Sequence, residues 1–427
     1  MIEVISIFVQ LLIFCLIFSY PFNKTVLVKL NLPNNFSLFE VYAVNVTVHL
    51  FIYSLISFFY INLKIFFLFE IIAAIFFIYL NRKKILELTK LDNSYSFFLF
   101  LIISFSFFIA IAIAARLEWD ALAHWIFKAQ VYFQNGSYQD FKSLPFNYYP
   151  QLGTFLWGYF WQNDLIYSIE YKGRLIYVFF YLVSIFFILG KDLKFFSVFY
   201  PVTIFLLILL TLDFYLFSGY QDYLIFVQLV FISKLIYLYK KDKNNFYLIL
   251  IFLSSWTLMW IKQEGFFYFI IIGITLVLFC VKKINQKIFL TLIFLISIII
   301  KSFLQDFFIG SFNFNEPIFH DGLFRYLDIT NFLNAFFIIS WHILIALFKY
   351  PIWLMLFLVI IIYNKNSFEN YEIFYFVIYF LFIYAIYFQT SMNLKDLLPV
   401  TIDRLLLQGS GFLIFPIFRI FYIKKIF

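Results

Sequence analysis

The chain has 427 residues, of which 65% are hydrophobic, 26% aromatic and 13% charged, and its formal net charge is +8. Soluble proteins are about half apolar and about a quarter charged, so this composition excludes an ordinary soluble globular domain. Two cysteines are too few for a disulfide framework or a cysteine-based metal site, and the basic residues lie in short clusters between apolar runs, which does not indicate nucleic-acid binding.

Apolar runs of about 18 or more residues recur along the chain, and each is long enough to cross a bilayer as a helix. Barrel strands would alternate polar and apolar residues, and these runs do not, so the sequence predicts an all-α integral membrane protein. Placing the basic clusters in cytoplasmic loops predicts a polytopic bundle of about thirteen transmembrane helices, within a range of about eleven to fourteen. The predicted spans are 2–20, 40–60, 63–80, 96–115, 174–190, 195–212, 222–239, 246–261, 264–281, 287–305, 350–363, 371–388 and 405–422.

The same orientation predicts which segments face the outer side of the membrane. Two apolar segments, 150–162 and 331–348, would break the alternation of sides if they crossed, so we expect both to lie in the interface or to re-enter it. The outer loops collect acids and bases, whereas the cytoplasmic loops mostly collect orienting lysines. The outer loops are 116–171, 212–222, 261–265, 306–330 and 389–404.

The first outer loop opens with RLEWDALAHWIFKAQVYFQNG, residues 116–136, directly after an uncharged apolar run. Asp120 is predicted to cap a helix from Ala121 to about residue 133, because its carboxylate can accept from free N–H groups of the first turn. Asp120, His124 and Lys128 follow at helical spacing on one flank and an apolar stripe occupies another, which predicts an amphipathic interfacial helix. The stripe consists of Leu122, Trp125, Ile126, Ala129 and Phe133.

This acidic helix permits two interpretations. Carboxylates beside an apolar belt lose hydration, which suits base chemistry, so Glu118 and Asp120 could flank a cavity and one could act as a base or a metal ligand. The alternative is a surface helix whose acids are solvated by lipid headgroups. His124 is likewise either a site residue or a polar residue on a helix face.

Five motifs follow one another along the chain: EWDALAHWIFKAQVYF, YYPQLGTFLW, GYQDYLIFVQLVF, IKQEGFF and TIDRLLLQ. In this order they resemble motifs of the polytopic glycosyltransferases of the C superfamily (GT-C), the relatives of dolichyl-phosphate-mannose protein mannosyltransferases and of the bacterial aminoarabinose transferase. The resemblance implies a catalytic module over 96–427, and it leaves 1–95 as N-terminal transmembrane helices outside it. It implies an enzyme that passes a sugar from a polyprenyl-phosphate carrier to an acceptor outside the cytoplasm.

The resemblance also implies site residues. The family's elements are an acidic pair in the first outer loop, Tyr-Pro-Pro-Leu, Gly-Tyr-x-Asp, Lys-x-Glu-Gly and a final Asp-Arg. In this chain they fall, in that order, on Glu118 and Asp120, on Tyr149 to Leu152, on Gly219, Tyr220 and Asp222, on Lys262, Glu264 and Gly265, and on Asp403 and Arg404. Gln151 replaces the second proline, so the turn there departs from the family pattern.

From these positions we expect Asp120 to be the general base that deprotonates an acceptor hydroxyl, with Glu118 positioning it or sharing a metal ion. The displacement would invert the anomeric carbon, and Arg404 is the best candidate to stabilise the leaving lipid phosphate, because its fork matches phosphate. The alternative phosphate ligands are Lys262, Lys128 and Arg325. Asp222 could complete a Mg²⁺ or Mn²⁺ site with Glu118 or Asp120; otherwise no cofactor is needed, because the sugar is already activated.

The expected partners are a polyprenyl-phosphate sugar donor, a glycan, lipid or protein acceptor, and membrane lipids, with no nucleic acid. We expect the protein in a bacterial inner membrane, with its active site facing the periplasm. His320 lies in a loop that could close over substrate, or it is a structural residue of that loop.

A transporter or lipid flippase is an alternative, and it would place ionisable groups near the membrane midplane on broken helices. Glu40, Glu70, Lys234 and Lys301 lie within apolar runs and have no partner evident from the sequence, whereas most other ionisable residues fall at span ends. A polysaccharide polymerase or ligase, which would lack the E-x-D helix, and a non-catalytic membrane scaffold are further alternatives.

Overall fold

The computed structural model describes residues 2–30, 32, 36–59, 61–88, 91–114, 116–136, 144, 147, 149–162, 169–190, 199–308, 329–363, 368–390 and 393–423. All regular structure within these residues is helical. The helices are α1 (Ile2–Ile17), α2 (Lys24–Lys29), α3 (Leu38–Ile56), α4 (Leu63–Leu88), α5 (Leu91–Ile113), α6 (Ile126–Asn135), α7 (Leu152–Gln162), α8 (Tyr171–Leu189), α9 (Phe199–Thr211), α10 (Asp222–Asp242), α11 (Asn245–Ile261), α12 (Gln263–Thr275), α13 (Ile284–Phe308), α14 (Ile329–Lys349), α15 (Pro351–Tyr363), α16 (Asn370–Gln389) and α17 (Leu394–Ile423). Two π-helical segments, Ala121–Trp125 and Leu276–Cys280, precede α6 and follow α12, and a 3-10 helix, Phe214–Leu216, precedes α10.

Polar side chains set several helix boundaries. Ser37 and Glu40 form a capping box at the start of α3, in which each side chain accepts from the other residue's backbone N–H. The Asn244 side chain caps α11 by accepting from the Phe246 N–H at 2.9 Å. Gly136 ends α6 in the left-handed conformation, three residues beyond the predicted end of this helix.

Ten of the described helical segments are long and apolar enough to cross a membrane, and four shorter apolar helices accompany them. Every predicted span overlaps one of the described helices. The chain is therefore a polytopic helical membrane protein, as the composition predicted. A count of thirteen crossings stays a prediction, because only ten segments of the described residues are long and apolar enough by themselves.

The centre of the bundle is formed by α8 and α10. Every residue in the apolar window of α8 is buried, and 94% of the α10 window is buried, whereas the windows of α4 and α13 are each only 22% buried. A helix that is apolar on all sides requires protein or lipid around its whole circumference. The two central helices meet that need by packing on each other and on α3, α5, α11 and α17.

Charged residues identify the two ends of the bundle. Asp222 begins α10 and contacts Lys262, which lies between α11 and α12; we call this the Asp222 end. At the opposite end Lys240, near the end of α10, pairs with Glu369, which precedes α16. The basic run at 240–243 thus lies away from Asp222, in agreement with the predicted orientation, although the side of the membrane that each end faces stays a prediction.

Helix α14 has both ends near the Asp222 end of the bundle. Near its start, the Phe332 ring stacks on Phe388, at the end of α16, with centroids 4.9 Å apart. At its last residue, Lys349 Nζ lies 3.8 Å from a carboxylate oxygen of Asp213, which follows α9. These contacts favour the expectation that 331–348 does not cross, although α14 is long and apolar enough to do so.

Helix α7 lies inside the bundle, against α3, α4, α6, α8 and α11. The expectation that 150–162 lies in the interface or re-enters it stays a prediction, because burial among helices does not report depth in a membrane. The Trp157 ring is fully buried, and its indole N–H donates to the Glu170 carbonyl at 3.2 Å. Trp161 is half-buried and stacks on Phe133 at 4.3 Å. The polar indole atom of Trp157 is satisfied by protein, so it does not require the headgroup region.

The predicted outer loop 389–404 is also partly wrong, because α17 begins at Leu394 and contains Arg404. The first part of α17, residues 394–404, has four charged residues and Pro399, a composition typical of a loop. A proline is tolerated inside a membrane helix because neighbouring groups satisfy the freed backbone carbonyl. Arg404 therefore projects from a rigid helix, which fixes its direction.

Candidate active site

The candidate active site is centred on the Asp222 carboxylate, which is completely buried. Its Oδ1 accepts from Lys262 Nζ at 3.1 Å and from Gln408 Nε2 at 2.5 Å. Its Oδ2 accepts from Arg404 Nε at 3.3 Å and lies 3.3 Å from Arg404 Nη2. Because a buried charge is costly unless it is paired and hydrogen-bonded, these donors account for its place in the interior.

Arg404 joins this buried carboxylate to the first predicted outer loop. Its Nη2 lies 2.6 Å from Asp120 Oδ2, and its guanidinium carbon lies 4.4 Å from the centroid of the Tyr220 ring. The ring face attracts the cation and restricts it to one plane. Asp120, Tyr220, Asp222 and Arg404 come from three motifs that are far apart in the chain, and the fold brings them into one group of contacts.

Lys262 reaches Asp222 from the break between two helices. It is extended, with φ −150° and ψ 167°, and it both ends α11 and precedes α12. The Lys262 Nζ also lies 3.5 Å from Glu264 Oε1. Gly265 permits this tight connection, because a Cβ there would lie 1.8 Å from the Leu258 carbonyl oxygen.

The segment before α10 places Tyr220 beside Asp120. Gly219 has φ +88°, which side chains disfavour, and a Cβ there would lie 2.9 Å from the Cβ of Ala121. The backbone N–H of Glu118 donates to the Ser218 carbonyl at 3.3 Å and fixes the two segments together. Burial raises the pKa of Tyr220 to about 12, so its phenol is neutral beneath Arg404 at neutral pH.

The predicted helix cap at Asp120 is wrong. Asp120 has helical torsion angles, φ −60° and ψ −40°, and its side chain makes no capping hydrogen bond. Its carboxylate turns to Arg404, because a charged ion pair at 2.6 Å outweighs a cap on the solvent side.

The two residues of the predicted acidic pair, Glu118 and Asp120, have different surroundings in the structure. Asp120 joins the Asp222 cluster, whereas Glu118 is exposed and its carboxylate has no hydrogen bond or ion pair with any described residue. Of the two residues predicted as catalytic, only Asp120 is held against a cation.

The buried face of α6 and of the π-helical segment before it differs from the predicted apolar stripe. Trp125 and Ala129 are buried in the protein, but Leu122 of the same predicted stripe is 51% exposed. The stripe assumed α-helical spacing throughout. In the π-helical segment each backbone hydrogen bond joins residues five apart, instead of four as in an α-helix. This shifts the register of the side chains before α6.

An aromatic and basic group is formed by His124 of the π-helical segment, Lys128 of α6 and Tyr149, which precedes α7. The His124 ring stacks on Tyr149 with centroids 6.0 Å apart, and Lys128 Nζ donates to the Tyr149 carbonyl at 3.3 Å. Burial lowers the pKa of His124, and it lowers the pKa of Lys128 to about 7. Lys128 is therefore partly neutral at physiological pH, which makes it a weaker phosphate ligand than Arg404. The two other predicted residues, Arg325 and His320, lie outside the described residues.

The predicted Mg²⁺ or Mn²⁺ ligands do not fit a metal centre in this arrangement. No group of three His, Cys, Asp or Glu residues that could hold a metal occurs in the described part of the chain. Both Asp222 oxygens face nitrogen donors, two of them cationic, and these cations would repel a divalent ion. A divalent cofactor stays a prediction.

Gln408 is the site residue that the sequence reasoning missed. It is completely buried, and it holds Asp222 from one helical turn beyond Arg404. The spacing i, i+4 in the motif TIDRLLLQ places both residues on one face of α17, so the signal was present once that segment was known to be helical.

The isolated charges within apolar runs do have partners. Lys234 pairs with Glu40 at 3.1 Å, and Lys301 donates to Gln305 at 2.6 Å. The Glu70 carboxylate accepts from two tyrosine hydroxyls of other helices, Tyr53 of α3 at 2.9 and 3.0 Å and Tyr159 of α7 at 2.5 Å. The sequence could not show these pairs, because each partner lies on a different helix or is itself uncharged.

Comparison of the chain with protein-family models, with curated proteins and with solved structures found no match. The fold and the site together define a polytopic helical membrane protein with a buried cluster of acids and bases at one end of its bundle.

Proposed function

We propose that the chain is a membrane glycosyltransferase, which moves a sugar from a polyprenyl-phosphate-linked donor to a glycan, lipid or protein acceptor outside the cytoplasm. The observation that supports this proposal is the bridge of Asp120, Arg404 and Asp222 at one end of the bundle. A carboxylate that can take a proton and a guanidinium that can take a phosphate lie side by side there, where a membrane lipid can present its headgroup.

Burial separates the roles of the two aspartates. The Asp222 side chain has no exposed surface and accepts from three residues, so its role is to anchor Arg404 and Lys262. The Asp120 side chain is 17% exposed, and within the described part of the chain it has one ion pair, with Arg404. Asp120 is therefore the carboxylate that an acceptor can reach.

In the proposed reaction, Asp120 takes the proton from an acceptor hydroxyl while the acceptor oxygen bonds to the anomeric carbon. The bond from that carbon to the phosphate oxygen breaks, and its electron pair leaves with the lipid phosphate. The anomeric configuration is inverted, because attack and departure occur on opposite faces. Arg404, supported by Lys262, stabilises the negative charge that develops on the leaving phosphate.

The test uses the purified full chain in nanodiscs with polyprenyl-phosphate-linked hexose and pentose donors and a membrane extract as the acceptor source. We expect acceptor-dependent release of polyprenyl monophosphate. Asp120→Asn should reduce the rate of this release by at least about a hundredfold, which is the smallest effect typical for loss of a general base. Asp213→Asn is the matched control, because Asp213 is an acid at the same end that pairs with Tyr350 and Lys349.

Equal release by Asp120→Asn and the wild-type protein would contradict the proposed chemistry. Movement of the lipid across the bilayer without any release of its sugar would favour a flippase, and the absence of both activities would favour a scaffold.

A further inference from the structure

The cations of the candidate site are already paired with carboxylates of the protein itself. The site contains two cations, Lys262 and Arg404, which face three carboxylates, Asp120, Asp222 and Glu264, so that its formal charge is −1. An incoming phosphate would meet net repulsion unless one carboxylate moved away from the cations. The arrangement therefore requires a carboxylate to yield when phosphate binds.

Geometry indicates which carboxylate yields. Asp222 is held on both oxygens inside the bundle, and Glu264 lies against Lys262 at 3.5 Å without a close contact to Arg404 among the described ion pairs. Among the described residues, Asp120 makes a single ion pair, to Nη2 of Arg404, from a partly exposed position on the segment that leads out of α5. The guanidinium itself is fixed by Asp222 on one side and by the Tyr220 ring on its face.

We propose that the donor's lipid phosphate displaces the Asp120 carboxylate from Arg404, so that binding of the donor itself releases the catalytic base. This inference depends on the proposed function, because it assigns the Arg404 site to a lipid phosphate. Before the donor binds, the ion pair with Arg404 occupies the Asp120 carboxylate oxygen. After the donor binds, phosphate takes the guanidinium and Asp120 is free beside the anomeric carbon.

If phosphate must displace Asp120 from Arg404, removal of the catalytic carboxylate should improve donor binding. A partly exposed ion pair contributes up to about 1 kcal/mol, which corresponds to about a fivefold change in Kd. We therefore expect Asp120→Asn and Asp120→Ala each to bind a lipid phosphate about fivefold more tightly than the wild-type protein does, even though both lose turnover.

The experiment measures the Kd of the full chain, in nanodiscs of uncharged lipid, for a polyprenyl monophosphate and for the matching polyprenol. Asp120→Glu keeps the competing charge and should bind like the wild-type protein. Asp213→Asn removes a negative charge at the same end without touching Arg404, and it should also leave the Kd unchanged. Two charge-removing variants of Asp120 are used, so that the test stands if one of them does not fold.

The outcomes separate the two proposals. If the wild-type protein does not prefer the monophosphate to the polyprenol, the proposed function fails. If it does prefer the monophosphate, but neither Asp120→Asn nor Asp120→Ala binds it more tightly, the displacement is wrong and the transferase proposal survives. If Asp213→Asn tightens binding as much as Asp120→Asn does, the effect is general electrostatics, and the displacement is again wrong.

Discussion

Replacement of Asp222 by asparagine tests whether the buried cluster has the energetics that its geometry implies. The Asp222 side chain is fully buried, and its cationic partners, Lys262 and Arg404, have side chains that are only 4% and 9% exposed. Removing one partner of a buried ion pair costs about 3–5 kcal/mol, because the remaining charges stay buried without compensation. We expect Asp222→Asn to reduce the free energy of unfolding by about that amount, as measured by denaturant titration in detergent micelles.

Glu264 provides a matched control on the same cation. Its side chain is 26% exposed, and its Oε1 lies 3.5 Å from Lys262 Nζ. Exposed pairs contribute less than about 1 kcal/mol, so Glu264→Gln should be nearly neutral for stability. The double variant Asp222→Asn/Lys262→Met removes both charges of the buried pair, and it should be less destabilised than the sum of its single variants by about 1–3 kcal/mol.

The reasoning would be refuted if Asp222→Asn and Glu264→Gln were equally mild, or if the double variant were strictly additive. Either result would mean that the Asp222 carboxylate does not depend on Lys262 in the folded protein. A loss of stability without any loss of turnover in Asp222→Asn would separate the anchoring role from catalysis.

Three further changes test other parts of the structure. Tyr159→Phe removes a 2.5 Å hydrogen bond to buried Glu70, so the free energy of unfolding should fall by about 1.5–3 kcal/mol in a denaturant titration, and an unchanged value would contradict the buried contact. Gly219→Ala meets both a positive φ and the Ala121 Cβ, so it should lose at least about 1 kcal/mol of stability together with transferase activity; full activity would contradict the close approach. Because burial lowers the pKa of Lys128 to about 7, the unfolded chain binds more protons than the folded chain between pH of about 7 and 10.4, so stability should rise with pH across that window by up to about 1.4 kcal/mol per unit. Thermal melts of Lys128→Met should lose this slope, and a slope equal to that of the wild-type protein would contradict the assignment.

The sequence predicts the membrane class and the position of most helices because both follow from apolar length. The prediction of helix position fails where a segment's composition is compatible with both a loop and a helix. Residues 394–404 contain Pro399 and four charged residues, which are typical of a loop, and yet they form the first turns of α17. The charges are tolerated because Asp403 and Arg404 find partners, Lys349 and Asp222 respectively, on other helices.

The candidate site shows the same limit. The motifs identify Asp120, Asp222, Lys262 and Arg404 as candidate site residues. Only the fold shows that Arg404 lies between the two aspartates. Spacing along one chain reports which residues share a helix face, and that is why Gln408 could have been found from Arg404. Contacts between helices, such as Tyr159 with Glu70, have no local signature.

The most direct test of the central claim is a cryo-electron microscopy map of the full chain in nanodiscs that contain polyprenyl monophosphate. The account predicts phosphate density within hydrogen-bonding distance of Arg404, with the Asp120 carboxylate within the width of one sugar ring. Lipid phosphate bound at another surface of the bundle, with Arg404 still enclosed between Asp120 and Asp222, would contradict it.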